Sequence, residues 1–460
     1  MDLSQFSELH VSEGYEAADS DSRDRLSELP DSLILAILSL LPMKDVVATT
    51  LLSKRWQNLW TTVPCLDFFG GTNKLVEFRS FVCGALALWK GVKILKFSIG
   101  FLFHASFTSD LDSWLLFVIE KQVEELYLDL MHQYHLICQY LAPQRLYSCP
   151  SIKKLSLICC ALEISESVKW NQLKNLTIQT THPSSEDAMN YVLAGSPQLE
   201  VLELCTQLSE KNLNIQSNSL KMLKIRIDSG EMKPMLRIWA PNLETLEFSG
   251  TPRYSCLLNV PSLTTAVLDF CNGGYGSDEL VRQVILSISH VEKITLSNWC
   301  SQVLVEMMKE KDVRIHFSNA KYLKFEAAAA NEIFGVLEMF PNLIVLTVAL
   351  YRIKLATYLM IYERQAPHFI TTVGDETIFP NPSMLHLRRV TITWYLLDDL
   401  ILQLVKLILR NAHLLEKFVF RTYWDVASPE VVNFAEKSFV SIPKSSPTAE
   451  FIIVKLFAYS

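Results

Sequence analysis

The sequence predicts an α/β protein made of two unlike parts. A short N-terminal unit of three helices is followed by an irregular leucine-rich-repeat solenoid, whose parallel sheet curves into a horseshoe. Three observations predict it. Apolar residues between 29 and 64 recur at helical spacing. From residue 92 a Leu-x-x-Leu-x-Leu pattern appears thirteen times, ending at Leu415/Phe418/Phe420. Most intervals between its central residues lie at or near the leucine-rich-repeat period of about 20–29 residues.

Pro30 suits the first turn of a helix, where its missing N–H costs nothing. Leu33, Ile34, Ile37, Leu38 and Leu41 form an apolar stripe, which Leu35 and Leu40 widen nearly all round. Pro42 stops this helix. Asp45 is placed to cap a second helix through Val46, Val47 and Leu51, and Ser53 a third carrying Arg55, Trp56, Leu59 and Trp60. Three helices in so few residues are too apolar and too small to bury all of their own surface. Some of it must meet the rest of the chain or a partner.

In each repeat the Leu-x-Leu alternation reads as a strand with one buried face. Ser185–Ala194 and Asp278–Ile288 read as helices between strands. A single unit cannot bury its apolar face, whereas stacked units bury a continuous core. The Asn or Cys expected three positions after the last leucine occurs only as Cys160 and Cys271, so no regular ladder of buried side-chain amides is expected. The longest interval spans Tyr351 to Leu387 and holds Pro367, Gly374, Pro380 and Pro382, which reads as a long connection over 351–383. Asp398–Arg410 then reads as an amphipathic helix opening on two acids, as the helix dipole favours.

Charge and composition narrow the function. Lys plus Arg is 42 against 49 Asp plus Glu, a net charge of -7. Residues 1–28 carry eight acids against Arg23 and Arg25, so about -6 of that charge sits in a polar acidic leader, read as disordered over 1–24. The near-neutral remainder has no general attraction for phosphate backbones, so no nucleic acid is expected as a partner. MDLSQFSELH lacks the features of a signal or transit peptide, and no apolar run is long enough to span a bilayer. The expectation is a soluble protein of the cytoplasm or nucleus, with no membrane partner and its ten cysteines reduced.

LPDSLILAILSLLPMKDVVATTLLSKRWQNLWTTVP, residues 29–64, resembles the F-box as found in plants. The resemblance rests on Leu29-Pro30-Asp31, Leu41-Pro42, Lys44-Asp45-Val46 and Leu52-Ser53-Lys54-Arg55-Trp56, and it sets an F-box over 25–70 ahead of repeats over 90–350. Leu387-Arg388-Arg389-Val390, the helix Leu400–Arg410, Leu414-Leu415-Glu416-Lys417 and Ile442-Pro443-Lys444-Ser445-Ser446-Pro447 resemble the FBD domain, giving an FBD-like cap over 384–460. That tail usually has an Arg where Lys444 stands. The resemblance implies the substrate receptor of an SCF-type ubiquitin ligase. Its F-box binds the SKP-family adaptor that hangs on a cullin, and its repeats hold a protein for ubiquitination. Catalysis is by proximity, with no catalytic residue in this chain. Leu29, Pro30, Ile34, Ile37, Leu38, Leu41, Pro42, Val46, Val47 and Leu52 are the expected adaptor contacts or their direct supports. The alternatives are a repeat scaffold uncoupled from ubiquitination and an F-box small-molecule receptor.

Other chemistry has little support. His132, His135 and Cys138 are spaced for one helical face, but a structural zinc wants four ligands and usually a Cys-x-x-Cys, which does not occur. Of Cys159 and Cys160, the second is expected in a buried repeat slot. Gly273-Gly274-Tyr275-Gly276 lacks the lysine of a phosphate-binding loop and reads as a repeat connection. No metal, cofactor or enzymatic activity is expected. Lys224, Arg226, Arg237 and Arg253 lie in or just after successive strands, which makes them a candidate basic patch on the concave face.

Overall fold

The computed structural model describes residues 29–70, 74–130, 140–164, 166–179, 187–208, 212–229, 235–251, 255–271, 277–310, 315–327, 330–350, 384–394, 399–423 and 445–456. The acidic leader, the His132/His135/Cys138 group, Gly273–Gly276 and the 351–383 connection lie outside these residues.

The chain opens with helices α1 (Asp31–Leu38), α2 (Met43–Ala48) and α3 (Trp56–Leu59), the last two joined to short 3-10 turns. Pro42, read as the stop of the first helix, stands four residues past α1 and leads α2; the start expected at Pro30, just before α1, is real. The expected side-chain caps are not. Asp45 lies inside the first turn of α2, where its charge suits the helix dipole, and Ser53 Oγ is buried without a hydrogen bond. The prolines already remove one orphan N–H and preset the backbone angle, so neither start depends on a side-chain oxygen.

Strands follow at Cys65–Phe69 (β1), Lys96–Gly100 (β2), Glu125–Asp129 (β3), Lys154–Ile158 (β4), Asn175–Gln179 (β5) and Val201–Leu208 (β6). Next come Leu213–Gln216 (β7), Met222–Ser229 (β8), Met235–Trp239 (β9), Thr245–Thr251 (β10), Ser255–Asn259 (β11) and Thr265–Phe270 (β12). Lys293–Leu296 (β13), Tyr322–Ala327 (β14), Val345–Leu350 (β15), Arg389–Trp394 (β16), Lys417–Tyr423 (β17) and Glu450–Leu456 (β18) complete the set. Among the described residues, fifteen of these form one sheet in chain order, with β7, β9 and β11 set apart in a second sheet of three. Neighbouring strands are parallel throughout. All thirteen sequence matches are strands of the large sheet, and β1 and β18 extend it at both ends.

Register makes the core. Leu126, Leu155, Leu176, Leu202 and Leu223 stand side by side in successive strands, each at most 2% exposed. Two residues on, Leu128, Leu157, Ile178, Leu204 and Ile225 form a second buried row. The covering layer includes α4 (Leu75–Leu88), α5 (Thr108–Glu120), α6 (Gln144–Tyr147), α7 (Ala188–Ala194), α8 (Ser277–Ser287), α9 (Asn298–Lys309), α10 (Ala330–Met339) and α11 (Asp399–Asn411). The second sheet replaces helices in this layer, since β7 packs beside α7 and β11 beside α8. Its Leu213, Ile215, Leu236 and Ile238 join the same core. Gly250 in β10 has φ +118°, and a Cβ there would stand 2.0 Å from the Ile227 carbonyl oxygen, so only glycine lets β8 and β10 approach at this point.

The turns before the strands carry two further devices. Asn242 and Asn342 each donate a side-chain N–H to a carbonyl one repeat earlier, at Asn218 and Ser318, both at 2.8 Å. These exposed amides stand where the chain enters a strand rather than leaves it. Of the two cysteines at the exit position, Cys160 is buried and Cys271 is exposed. Alongside the amides runs a row of opposite charges: Lys174 and Lys221 flank Glu200, Lys321 meets Glu292, and Arg388 meets Glu416. In the same row Glu124 accepts hydrogen bonds from Lys153 (2.7 Å) and Lys93, which hold its carboxyl below the ordinary glutamate range. A lowered folded pKa stabilises the protein above the unfolded value of about 4.3 and loses that effect as pH falls through the folded value. Glu124→Gln should therefore lower the thermal midpoint at pH 6, with the gap to the parent closing as both are titrated toward about pH 2.

Candidate functional site

The N-terminal helices form a compact knot on the edge of the sheet. Ile34, Leu38, Met43 and Val46 are fully buried, and Trp56, Trp60 and Val63 join them. Trp89 Nε1 donates to the Val63 carbonyl at 2.9 Å and Lys90 N to the Thr61 carbonyl at 2.7 Å, tying the knot to the end of α4. Arg55 closes its far side. Nη2 donates to the Leu29 carbonyl at 2.6 Å, while Nε, 3.1 Å from Asp31 Oδ1, completes an ion pair at the start of α1. Leu29 and Asp31, 26 and 24 residues before Arg55 in sequence, are thus joined to it as one structural unit.

Of the ten expected adaptor residues, Pro30, Ile37, Pro42 and Leu52 are exposed, and Leu29, Leu41 and Val47 are half-buried. Ile34, Leu38 and Val46 are at 0% exposure. They shape the knot from inside and do not present surface. The structure adds three residues absent from that set: Leu33, Leu40 and Leu51, all exposed. The signal for Leu40 was the excess width of the apolar stripe, since one helix face cannot bury residues on opposite sides of its axis.

The candidate basic patch does not assemble. Lys224 and Arg226 lie on β8, but Lys224 pairs with Glu247 at 3.5 Å and Arg226 with Asp228 at 3.4 Å. Arg237 belongs to β9 in the second sheet, beside Asn214, and Arg253 lies outside the described residues. Spacing along the chain placed these cations in successive strands. The second sheet, which the Leu-x-x-Leu-x-Leu pattern does not mark, separates them.

Cys160 is fully buried, as expected, and Cys159 beside it is half-buried at φ 57°. Burial pushes the thiols of Cys256 up to about 12 and of Cys300 up to about 11, which makes them inert core side chains. Among the described residues, no group of three or more His, Cys, Asp or Glu is placed to hold a metal ion, and no helix is long and apolar enough to cross a membrane. A surface groove lined by Glu292, Asn319, Lys321, Asn342 and Arg388 follows the strand-leading turns, away from the sheet face.

A parallel repeat solenoid led by a three-helix unit that keeps apolar surface in solvent defines the class: a leucine-rich-repeat protein with an N-terminal F-box. The chain belongs to the At1g61320/AtMIF1 LRR-domain family, whose model matches residues 88–447, and the F-box domain model matches residues 26–68. It is similar to F-box/LRR-repeat protein At3g26922 of Arabidopsis thaliana, 31% identical over 54% of this chain and 82% of that protein. It is also similar to F-box/LRR-repeat protein 13 of the same plant, 25% identical over 95% of this chain and 98% of the relative. A third relative, F-box/FBD/LRR-repeat protein At1g51370 of Arabidopsis thaliana, is 28% identical over 61% of this chain and 63% of its own length.

Proposed function

We propose that this chain is the substrate-recognition subunit of an SCF-type ubiquitin ligase. The F-box binds an SKP-family adaptor, and through it a cullin, while the repeats hold a target protein. The observation that carries the reading is the apolar surface left on the F-box, with Leu40 at 85% and Leu51 at 89% exposure beside Leu33, Ile37 and Leu52. A cluster this apolar on so small a unit is what a large, stable interface needs. The chain's own role is non-catalytic: it raises the local concentration of target lysines near the charged conjugating enzyme. Residues 384–460 are read as an FBD-like end to the repeat array, a reading supported by a relative with FBD in its name.

The test is co-purification of the full chain with an SKP-family adaptor and cullin. Leu29→Ala with Pro30→Ala should abolish adaptor capture while circular dichroism keeps the repeat signal. Undiminished capture by the double variant would reject the assignment.

A further inference from the structure

The row of charges along the strand-leading turns has a gap in its order. Twice in its first half a glutamate stands between two lysines. Glu200 has Lys174 at 3.9 Å and Lys221 at 3.7 Å, and Glu124 accepts hydrogen bonds from both Lys93 and Lys153. From β13 to β17 the residues just before the strands are Glu292, Lys321, Ile344, Arg388 and Glu416. Here two cations again flank a central position, but that position holds isoleucine. The backbone is the same in both places. Glu200 N bonds the Lys174 carbonyl and Lys221 N the Glu200 carbonyl, each at 2.9 Å. Ile344 N bonds the Lys321 carbonyl and Arg388 N the Ile344 carbonyl, also at 2.9 Å. Lys321 and Arg388 therefore stand one repeat to either side of Ile344, as the two lysines stand about Glu200, with no carboxylate between them.

The place of the missing carboxylate is open to solvent. Ile344 is half-buried and lines a groove of about 380 Å³, together with Lys321, Arg388, Asn342, His386 and Leu414. Both cations keep donors to spare. An ammonium has three N–H donors and a guanidinium five. Among the described residues, Lys321 makes one ion pair, to Glu292 at 2.9 Å, and Arg388 bonds Glu416 through Nη1 alone, at 2.7 Å. The side chains of both pairs are about half exposed, and exposed pairs hold their ions weakly, so each cation is free to share itself with a carboxylate in the groove.

We propose that this groove takes a glutamate side chain of the protein that the repeats hold, its carboxylate shared between Lys321 and Arg388 and its methylenes laid on Ile344 and Leu414. The inference rests on the reading of the repeats as a target-binding surface, and deepens it. The chain's own Glu124 shows the effect of such a position, since its two lysines hold its carboxyl below the ordinary range. Two cations favour a carboxylate over a neutral amide of the same shape, and the apolar floor suits an acid carried on a short methylene stem. Glu292 and Glu416 close the row at both ends, so the groove favours a single acid over a run of them.

The test uses the full chain and the peptide acetyl-Gly-Leu-Glu-Leu-Gly-amide, with binding followed by saturation-transfer NMR at about 0.05 M salt. The glutamate peptide should bind at least about tenfold more tightly than its glutamine analogue, and the gap should narrow at about 1 M salt. Lys321→Gln with Arg388→Gln should remove the preference. Ile344→Glu should remove it by the opposite route, supplying the missing carboxylate from within, while circular dichroism keeps the repeat signal. Lys153→Gln, in a triple whose carboxylate is already present, should leave the preference unchanged. Equal binding of the glutamine peptide, undiminished binding by the double Gln variant or by Ile344→Glu, or no binding by the parent chain would overturn the proposal. Adaptor capture through the F-box is read separately, so failure of this site and failure of the ligase reading give different results.

Discussion

Leu33→Asp with Ile37→Asp should abolish capture by an SKP-family adaptor and leave the knot folded. Both side chains stand on the exposed face of α1, while Ile34 and Leu38 between and beside them are fully buried. Burying one such side chain contributes about 1.5–3 kcal/mol, so losing two, and placing charges where apolar surface is required, should weaken the complex by about 100-fold or more. Surface plasmon resonance on immobilised adaptor measures this. Ile34→Asp is the contrasting variant: it should unfold the knot, because an unpaired carboxylate would sit at a position with no solvent access. Tight binding by the Leu33/Ile37 variant would place the adaptor surface elsewhere on the F-box.

Trp170→Ala should cause the largest loss of stability in the repeats, about 3–5 kcal/mol. Trp170 is fully buried in the segment that leads to β5. Its Nε1 donates to the Leu146 carbonyl at 2.8 Å, its ring lies 6.2 Å from that of Tyr147, and its backbone N–H bonds the Gly195 carbonyl at 3.0 Å. One residue thus links three successive repeats, its side chain to the repeat before and its backbone N–H to the repeat after. Truncation leaves a cavity and also removes one of the two donors to the Leu146 carbonyl, which keeps the Cys149 N–H at 3.2 Å. Trp170→Phe separates the two effects, since it restores most of the volume but not the donor, and should recover all but about 0.5–1.5 kcal/mol. A solenoid loses stability locally, through neighbouring repeats. Amide hydrogen exchange should therefore quicken in β4–β6 well before it does in β14–β17. Uniform loss of protection along the chain would contradict this.

Much of the fold was legible because its signals are local. The Leu-x-x-Leu-x-Leu units located thirteen strands, and Pro30 located the start of the first helix. The edge strands β1 and β18 escaped because Cys65-Leu66-Asp67-Phe68-Phe69 and Glu450–Leu456 depart from the leucine pattern while keeping its alternation. The second sheet escaped for a different reason. Leu213/Ile215 and Leu236/Ile238 are short alternating pairs that read equally well as loop. They become strands only because three successive repeats place them side by side where helices stand elsewhere. The sequence did not divide the expected adaptor residues into Ile34, Leu38 and Val46 inside and Pro30, Ile37 and Leu52 outside.

By itself the sequence determined that a greasy helical unit precedes a stacked array of parallel strands, since period and composition along the chain suffice for both. The tertiary structure decided which polar side chains find partners. Lys224 and Arg226 are neutralised by nearby acids, Arg237 is carried off to another sheet, and Asp67 and Asp129 are left without donors. The physical reason is that a strand's lateral neighbours come from repeats twenty or more residues away. The charge, hydrogen bonds and solvent access of each open-face residue are therefore properties of the register, which no single stretch of chain contains.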